Sequence, residues 1–231
     1  LIIKRPGADN VGLFGAVQDS TVRNVELLDA NVTGRYSVGG LMGQSMNNSI
    51  IEHTAVAGTV KGEMDVGGLV GVNNQGSSIS QSHASASVEA SSSRVGGLVG
   101  LSDGSITRSY ATGAVTGGSE VGGLVGSAVD GSITDSYATG AVAGSSRVGG
   151  LLGSTQFPSN ITINNTYATG AATSSGDTAG GLVGTFGDGT ISNSFWDTQT
   201  TGRSSSQGIG QINGSVTQTN VSGKTTAEMQ T

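Results

Sequence analysis

A six-residue glycine-leucine motif that returns about every 27 residues constrains this chain more than any other feature. Val-Gly-Gly-Leu-x-Gly occupies Val38–Gly43, Val66–Gly71, Val95–Gly100, Val121–Gly126 and Val148–Gly153. An Ala-first copy sits at Ala179–Gly184 and a shortened one at Val11–Gly15. The motif leucines Leu13, Leu41, Leu69, Leu98, Leu124, Leu151 and Leu182 are separated by 28, 28, 29, 26, 27 and 31 residues. So narrow a spread is the mark of stacked structural repeats, not of random glycine richness.

A second signature follows each motif, clearest at Ser105–Val115 (Ser-Ile-Thr-Arg-Ser-Tyr-Ala-Thr-Gly-Ala-Val) and Ser132–Val142, and looser at Ile163–Ala172, Ile79–Val88 and Ile51–Val60. Each period therefore holds a Gly-Leu segment, a Ser-Ile-Thr segment and a Tyr-Ala-Thr-Gly-Ala-Val segment. Asp-Gly turns punctuate them at Asp103, Asp130 and Asp188. Helical repeats need a 3.6 period and few glycines, and a propeller blade needs about 40 residues. The pattern predicts an all-β protein, a β-solenoid (β-helix) of about seven coils with three short strands per coil. Residues 1–197 form the solenoid in this reading; residues 198–231, rich in Thr, Ser, Gln, Gly and Asn, form a polar C-terminal cap or tail. There, Thr225-Thr-Ala-Glu228 matches a capping box and predicts one short helix.

Stacking places equivalent residues in columns. Alternation puts Ile51, Ile79, Ile106, Ile133, Ile163 and Ile191 inside, with Val32, Val60, Val88, Val115 and Val142, and with Ala84, Ala111, Ala138 and Ala168. The outward set is then His83, Tyr110, Tyr137 and Tyr167, next to Ser85, Thr112, Thr139 and Thr169, next to Ala114, Ala141 and Ala171. This is the candidate binding face. Its ring column reads first as backbone protection and, as the alternative, as a platform for sugars. Trp196, directly after Phe195, replaces the inward alanine and reads as a bulky cap. The residues before successive motif valines are Asp65, Arg94, Glu120 and Arg147; their alternating signs read as a register device or as ordinary surface charge. Arg108 and Asp135 repeat the arrangement in another column.

Composition excludes several function classes. The net charge of −6 without a basic stripe argues against nucleic acid. There is no cysteine, and two histidines, His53 and His83, cannot supply a three-histidine metal site. No apolar run is long enough to span a membrane as a helix. No cofactor motif is present, and the glycines follow no strand-to-helix pattern for phosphate. Asp103, Asp130 and Asp188 align in register like the acids of a polysaccharide-cleaving β-helix, but the Asp-Gly context favours turns.

The repeated Val-Gly-Gly-Leu-Val-Gly with Gly-Ser-Ile-Thr-x-Ser-Tyr-Ala-Thr-Gly resembles the GLUG-motif repeat over nearly the whole chain. Such repeats occur in large secreted or surface-attached bacterial proteins, among them haemagglutinin-like adhesins and some immunoglobulin A peptidases. The resemblance implies a scaffold without catalytic residues of its own, and no His-Glu-x-x-His motif is present to carry a protease activity over. The expected role is a non-enzymatic adhesive or spacer module of a secreted or cell-surface protein, meeting a glycan, a protein or an extracellular surface. The alternative is an ice-binding solenoid using the Thr/Ser/Ala columns, and the third is a polysaccharide-acting enzyme.

Overall fold

The computed structural model describes residues 1–176 and 178–230; the side chain of Phe157 also lies outside the described part. The chain winds into a β-solenoid of about eight turns in which the strands pair in parallel with their counterparts one coil away. Conserved register follows from the repeat itself: Ile79 pairs with Ile51 on one side and Ile106 on the other, and Val95 with Val66 and Val121.

The coil is more finely divided than three strands. One full turn holds Ser93–Gly96, Val99–Ser102, Ser105–Thr107, Tyr110–Ala111 and Val115–Thr116. The Gly-Leu motif breaks in two because Gly97 and Leu98 form a corner. A Cβ on Gly97 would stand 2.1 Å from the Gly123 carbonyl oxygen and 2.8 Å from the Ala111 Cβ. Only a glycine lets two walls of the coil approach that closely. The tyrosine segment breaks at its glycine for a different reason, crowding against the neighbouring coil: a Cβ on Gly140 would lie 1.9 Å from the oxygen of Gly113, its counterpart one coil away.

Two further corners use left-handed residues. Arg94, Glu120 and Arg147 have φ of 60°, 56° and 52°; Arg108, Asp135 and Asn165 have 49°, 49° and 54°. Single αL residues turn the chain sharply, and Asn and Asp enter that region most cheaply. The second corner is tied by a hydroxyl ladder. Ser109 Oγ donates to the Thr107 carbonyl within its own coil at 2.9 Å and accepts the Ser82 N–H at 3.2 Å. Ser136 repeats the pair, at 2.7 Å to Thr134 O and 3.1 Å from Ser109 N. These buried hydroxyls satisfy backbone donors that the corner would otherwise leave unpaired.

The inward columns fall as expected. The isoleucine, valine and alanine columns are buried, as are the motif leucines from Leu41 to Leu182; Leu13, in the first coil, is exposed. The core is thin, filled by Val, Ile, Leu and Ala with glycine-lined walls.

The stack does not end with the motif. Ile209–Ile212 pairs with Val183–Phe186, and Val216–Lys224 pairs with Gly189–Asp197. Residues after 197 thus add a level to the seven marked by leucines. Trp196 stands in the inward alanine column, in register with Ala168, and is 3% exposed. The final turn closes around it, and its Nε1–H donates to Ser204 O at 3.2 Å. Thr225 and Glu228 form the reciprocal capping contacts, Thr225 N to Glu228 Oε2 at 2.8 Å and Glu228 N to Thr225 Oγ1 at 3.3 Å, leading into one 3-10 turn at Glu228–Gln230. The lengthened stretch around Ser154–Asn160 is extended, within the strand Leu152–Asn164, and its surplus residues are taken up by a register shift against Ala128 and Asp130.

Candidate functional site

The tyrosine wall carries the candidate face. Backbone hydrogen bonds between coils set its columns: Thr112 N to Ala84 O, Thr139 N to Ala111 O and Thr169 N to Ala138 O, each 3.0 Å. Alternation then turns Tyr110, Thr112 and Ala114 outward while Ala111 and Val115 face the core. Ser85, Thr112, Thr139, Ala114, Ala141 and Ala171 are exposed; Thr169 and the four ring residues are half-buried. All eleven predicted residues share this wall, and none carries a formal acidic or permanently cationic group.

The rings form one continuous stack. His83 lies 4.6 Å from Tyr110, Tyr110 4.8 Å from Tyr137 and Tyr137 4.7 Å from Tyr167, with planes within 5° of parallel. The spacing equals the strand separation of a sheet. Each interior ring therefore spends both faces on its neighbours and shows the outside only its edge. Flat sugar rings cannot lie on such a ladder except at its ends. Burial pushes the Tyr137 phenol above its ordinary range, reinforced by Tyr167 and Tyr110, and burial alone raises Tyr167. Phe195 continues the column in register with Tyr167, but its ring sits under the Lys224 ammonium, 5.7 Å from the centroid.

Each end of the stack opens on a cavity. At Tyr167 a cavity of about 490 Å³ is walled by Thr139, Thr169, Asp197, Thr226 and Met229. The Asp197 carboxylate there is pushed up by burial, yet the Thr226 hydroxyl and the N–H groups of Gln199 and Thr200 hold it below its ordinary value. At His83 a cavity of about 300 Å³ is bordered by Glu26, His53, Ala55 and Gln81.

The charged column resolves into two discrete ion pairs. Arg94 Nε approaches Asp65 Oδ1 at 2.9 Å, without the alignment of a hydrogen bond, and Arg147 Nη1 donates to Glu120 Oε1 at 2.5 Å. Burial raises the Asp65 carboxyl to about 6; Arg94 opposes this and Glu120 adds to it. Arg108 and Asp135 form no pair among the described residues; Asp135 instead accepts from Asn165 Nδ2 at 2.5 Å. That asparagine column goes on with Asn220 donating to Asn193 Oδ1 at 3.0 Å. The aligned acids tie one coil to the next and do not cap turns of their own: Asp130 accepts Asn160 N and Asp188 accepts Ser215 N, both at 2.7 Å and each from the following coil, and Asp130 and Gly131 lie within the strand Val125–Thr134. Burial raises Asp103, and the charge of Asp130 adds to that.

Sequence reasoning missed the buried corner serines. Their signal was present: Ser82, Ser109 and Ser136 recur two residues after each Ser-Ile-Ser or Ser-Ile-Thr. Among the described residues no group of three or more His, Asp or Glu side chains is placed to hold a metal ion. No helix of the described residues is long and apolar enough to cross a membrane.

No curated protein sequence matches the chain. Among solved structures, a candidate immunoglobulin A1 protease from Bacteroides ovatus superposes with a TM-score of 0.63 at 18% identity, covering 90% of this chain and 68% of the other. At that identity the likeness is one of fold. Residues 62–89, 91–116 and 117–143 match the model of the GLUG motif, so the middle of this solenoid is built from three consecutive GLUG motifs.

Proposed function

We propose that this solenoid is a non-catalytic adhesive or spacer module of a secreted or cell-surface bacterial protein, and that it meets a glycan or protein surface through its tyrosine wall. The observation that carries this reading is the ring stack. Four rings held within 5° of parallel, beside exposed Thr hydroxyls and Ala methyls, make a rigid strip with almost no side-chain entropy left to lose on contact. The strip offers hydroxyls and ring edges at a fixed repeat, which suits a partner that is itself periodic.

The test is a glycan array and a cell-binding assay with the purified chain and with a variant carrying Thr112→Arg and Thr139→Arg. Binding that the variant loses supports the tyrosine wall; silence of the parent in both assays leaves only the spacer role. The exposed Thr column also keeps an ice-binding reading open, and an absence of thermal hysteresis in the parent removes it. The non-catalytic reading is tested separately with immunoglobulin A and acidic polysaccharides as substrates, where any product above the blank overturns it.

A further inference from the structure

The ring stack begins abruptly. His83 pairs in register with Tyr110 on one side and with Ala55 on the other, and Ala55 pairs with Glu26. Tyr110 covers one face of the imidazole, and among the described residues no ring covers the opposite face. At the Ala55 level the column holds a methyl group where the next four levels hold rings. A ring of ordinary thickness seated there would lie one coil spacing, about 4.8 Å, from His83, with Glu26 one spacing beyond.

The cavity at this step is bordered by the chain's two histidines, His53 and His83, with Glu26 and Gln81. Its volume of about 300 Å³ sits at the small end of ligand cavities and suits one ring, not an oligomer. Its chemistry is divided: an aromatic floor, a methyl back, and a rim of carboxylate, imidazole and amide groups. A hydrocarbon ring would use the floor alone and leave Glu26, His53 and Gln81, all exposed, to water. A pyranose satisfies both, with its C–H face on the imidazole and its hydroxyls on the rim. The Glu26 carboxylate disfavours acidic sugars.

We propose that this step is a binding site for a single neutral or amino-sugar pyranose, stacked on the free face of His83 and hydrogen-bonded by Glu26, His53 and Gln81. The proposal rests on the glycan-contact reading above and adds to it a point of ring stacking: the end of the ladder, where a ring face is open, next to the flank, which offers edges and hydroxyls.

The experiment is NMR of the full chain, whose two histidines make the ring signals simple to assign. Methyl glycosides of neutral hexoses, N-acetylhexosamines and hexosamines are the probes. The expected result is saturable movement of both histidine signals by at least one probe, with a dissociation constant near 1 mM, as few contacts allow. Ala55→Tyr extends the stack by one ring and fills the site. It should keep the fold, add to the stacked-tyrosine signal in near-UV circular dichroism, and abolish the movement. Histidine signals that no probe moves, or that move equally in Ala55→Tyr, overturn the proposal, as does movement with protein concentration alone, which would mark self-association. A glycan array run on Ala55→Tyr separates the two readings: array binding that survives the substitution keeps the adhesive role and removes this site.

Discussion

Tyr110 and Tyr137 lie ring over ring, 4.8 Å apart and 1° from parallel, although 27 residues of chain separate them. The coil length sets the register, and the register sets the stack. Tyr137 has such a neighbour on each side, the second being Tyr167 at 4.7 Å. Aromatic pairs contribute about 0.5–1.5 kcal/mol each beyond the area they bury. Tyr137→Ala should therefore cost about 2–3 kcal/mol in urea denaturation, and Tyr137→Phe, which keeps the ring, about 0.5 or less. Equal losses for the two would mean that the stack contributes nothing and the hydroxyl everything.

Asp65 should weaken the protein at neutral pH. Its folded pKa, about 6, lies above the ordinary carboxylate value because burial outweighs the attraction of Arg94. The folded state then holds a proton that the unfolded state has released. The stability this group contributes is present below about pH 4 and is lost as pH rises towards and through 6. After allowance for screening on its open side, the loss amounts to about 1–2 kcal/mol. Asp65→Asn keeps a residue suited to the left-handed backbone, φ 57°. The variant should show a flatter stability profile between pH 4 and 7 and, at pH 7.5, a higher melting temperature than the parent. A lower one would show that the Arg94 pair outweighs the burial penalty.

Much of this was legible because the repeat is dictated by sterics. Gly97, Gly123 and Gly150 are fixed by a carbonyl about 2 Å from where a Cβ would be, so the motif recurs wherever a coil turns. The outward columns were legible for the same reason, since one alternation rule applied at every level places all of them. Three features were not. The splitting of the Gly-Leu segment depends on where it touches the facing alanine across the coil, and that of the tyrosine segment on how closely its glycine approaches the neighbouring coil, both contacts between residues far apart in sequence. The pairing of Asp65 with Arg94, and of Glu120 with Arg147 rather than Arg94, depends on rotamers. The extra level after Asp197 was hidden because Trp196 replaces the column of small residues and the glycines that answer it, Gly208 and Gly223, follow a different spacing.

The wall contact at Gly123 makes a sharp prediction. A Cβ there would lie 2.1 Å from the Gly150 oxygen and 2.8 Å from the Ala138 Cβ. Neither can yield, because each is fixed by its own coil. Gly123→Ala should cost about 2–3 kcal/mol despite the gain in backbone entropy that alanine ordinarily brings. Gly7→Ala is the control, with no atom within 4 Å of the added methyl. Thermal denaturation of the pair checks it; similar midpoints would show that the coils slide apart easily.

Trp196 tests whether the solenoid is cooperative along its whole length. Its indole is enclosed by glycines of the last two turns: Cβ atoms on Gly181, Gly208 and Gly223 would fall 2.2, 2.6 and 2.9 Å from it. Truncation leaves a cavity that those glycines cannot fill, at a cost of about 3–5 kcal/mol. In a stack where each coil touches only its neighbours, that cost should stay local. Trp196→Ala should strip hydrogen-exchange protection from Ile209–Ile212 and Val216–Lys224 while residues 62–143 keep theirs. Uniform loss of protection along the rod would mean that the last turn holds the whole stack together, and that the coils do not behave as separable nearest-neighbour units.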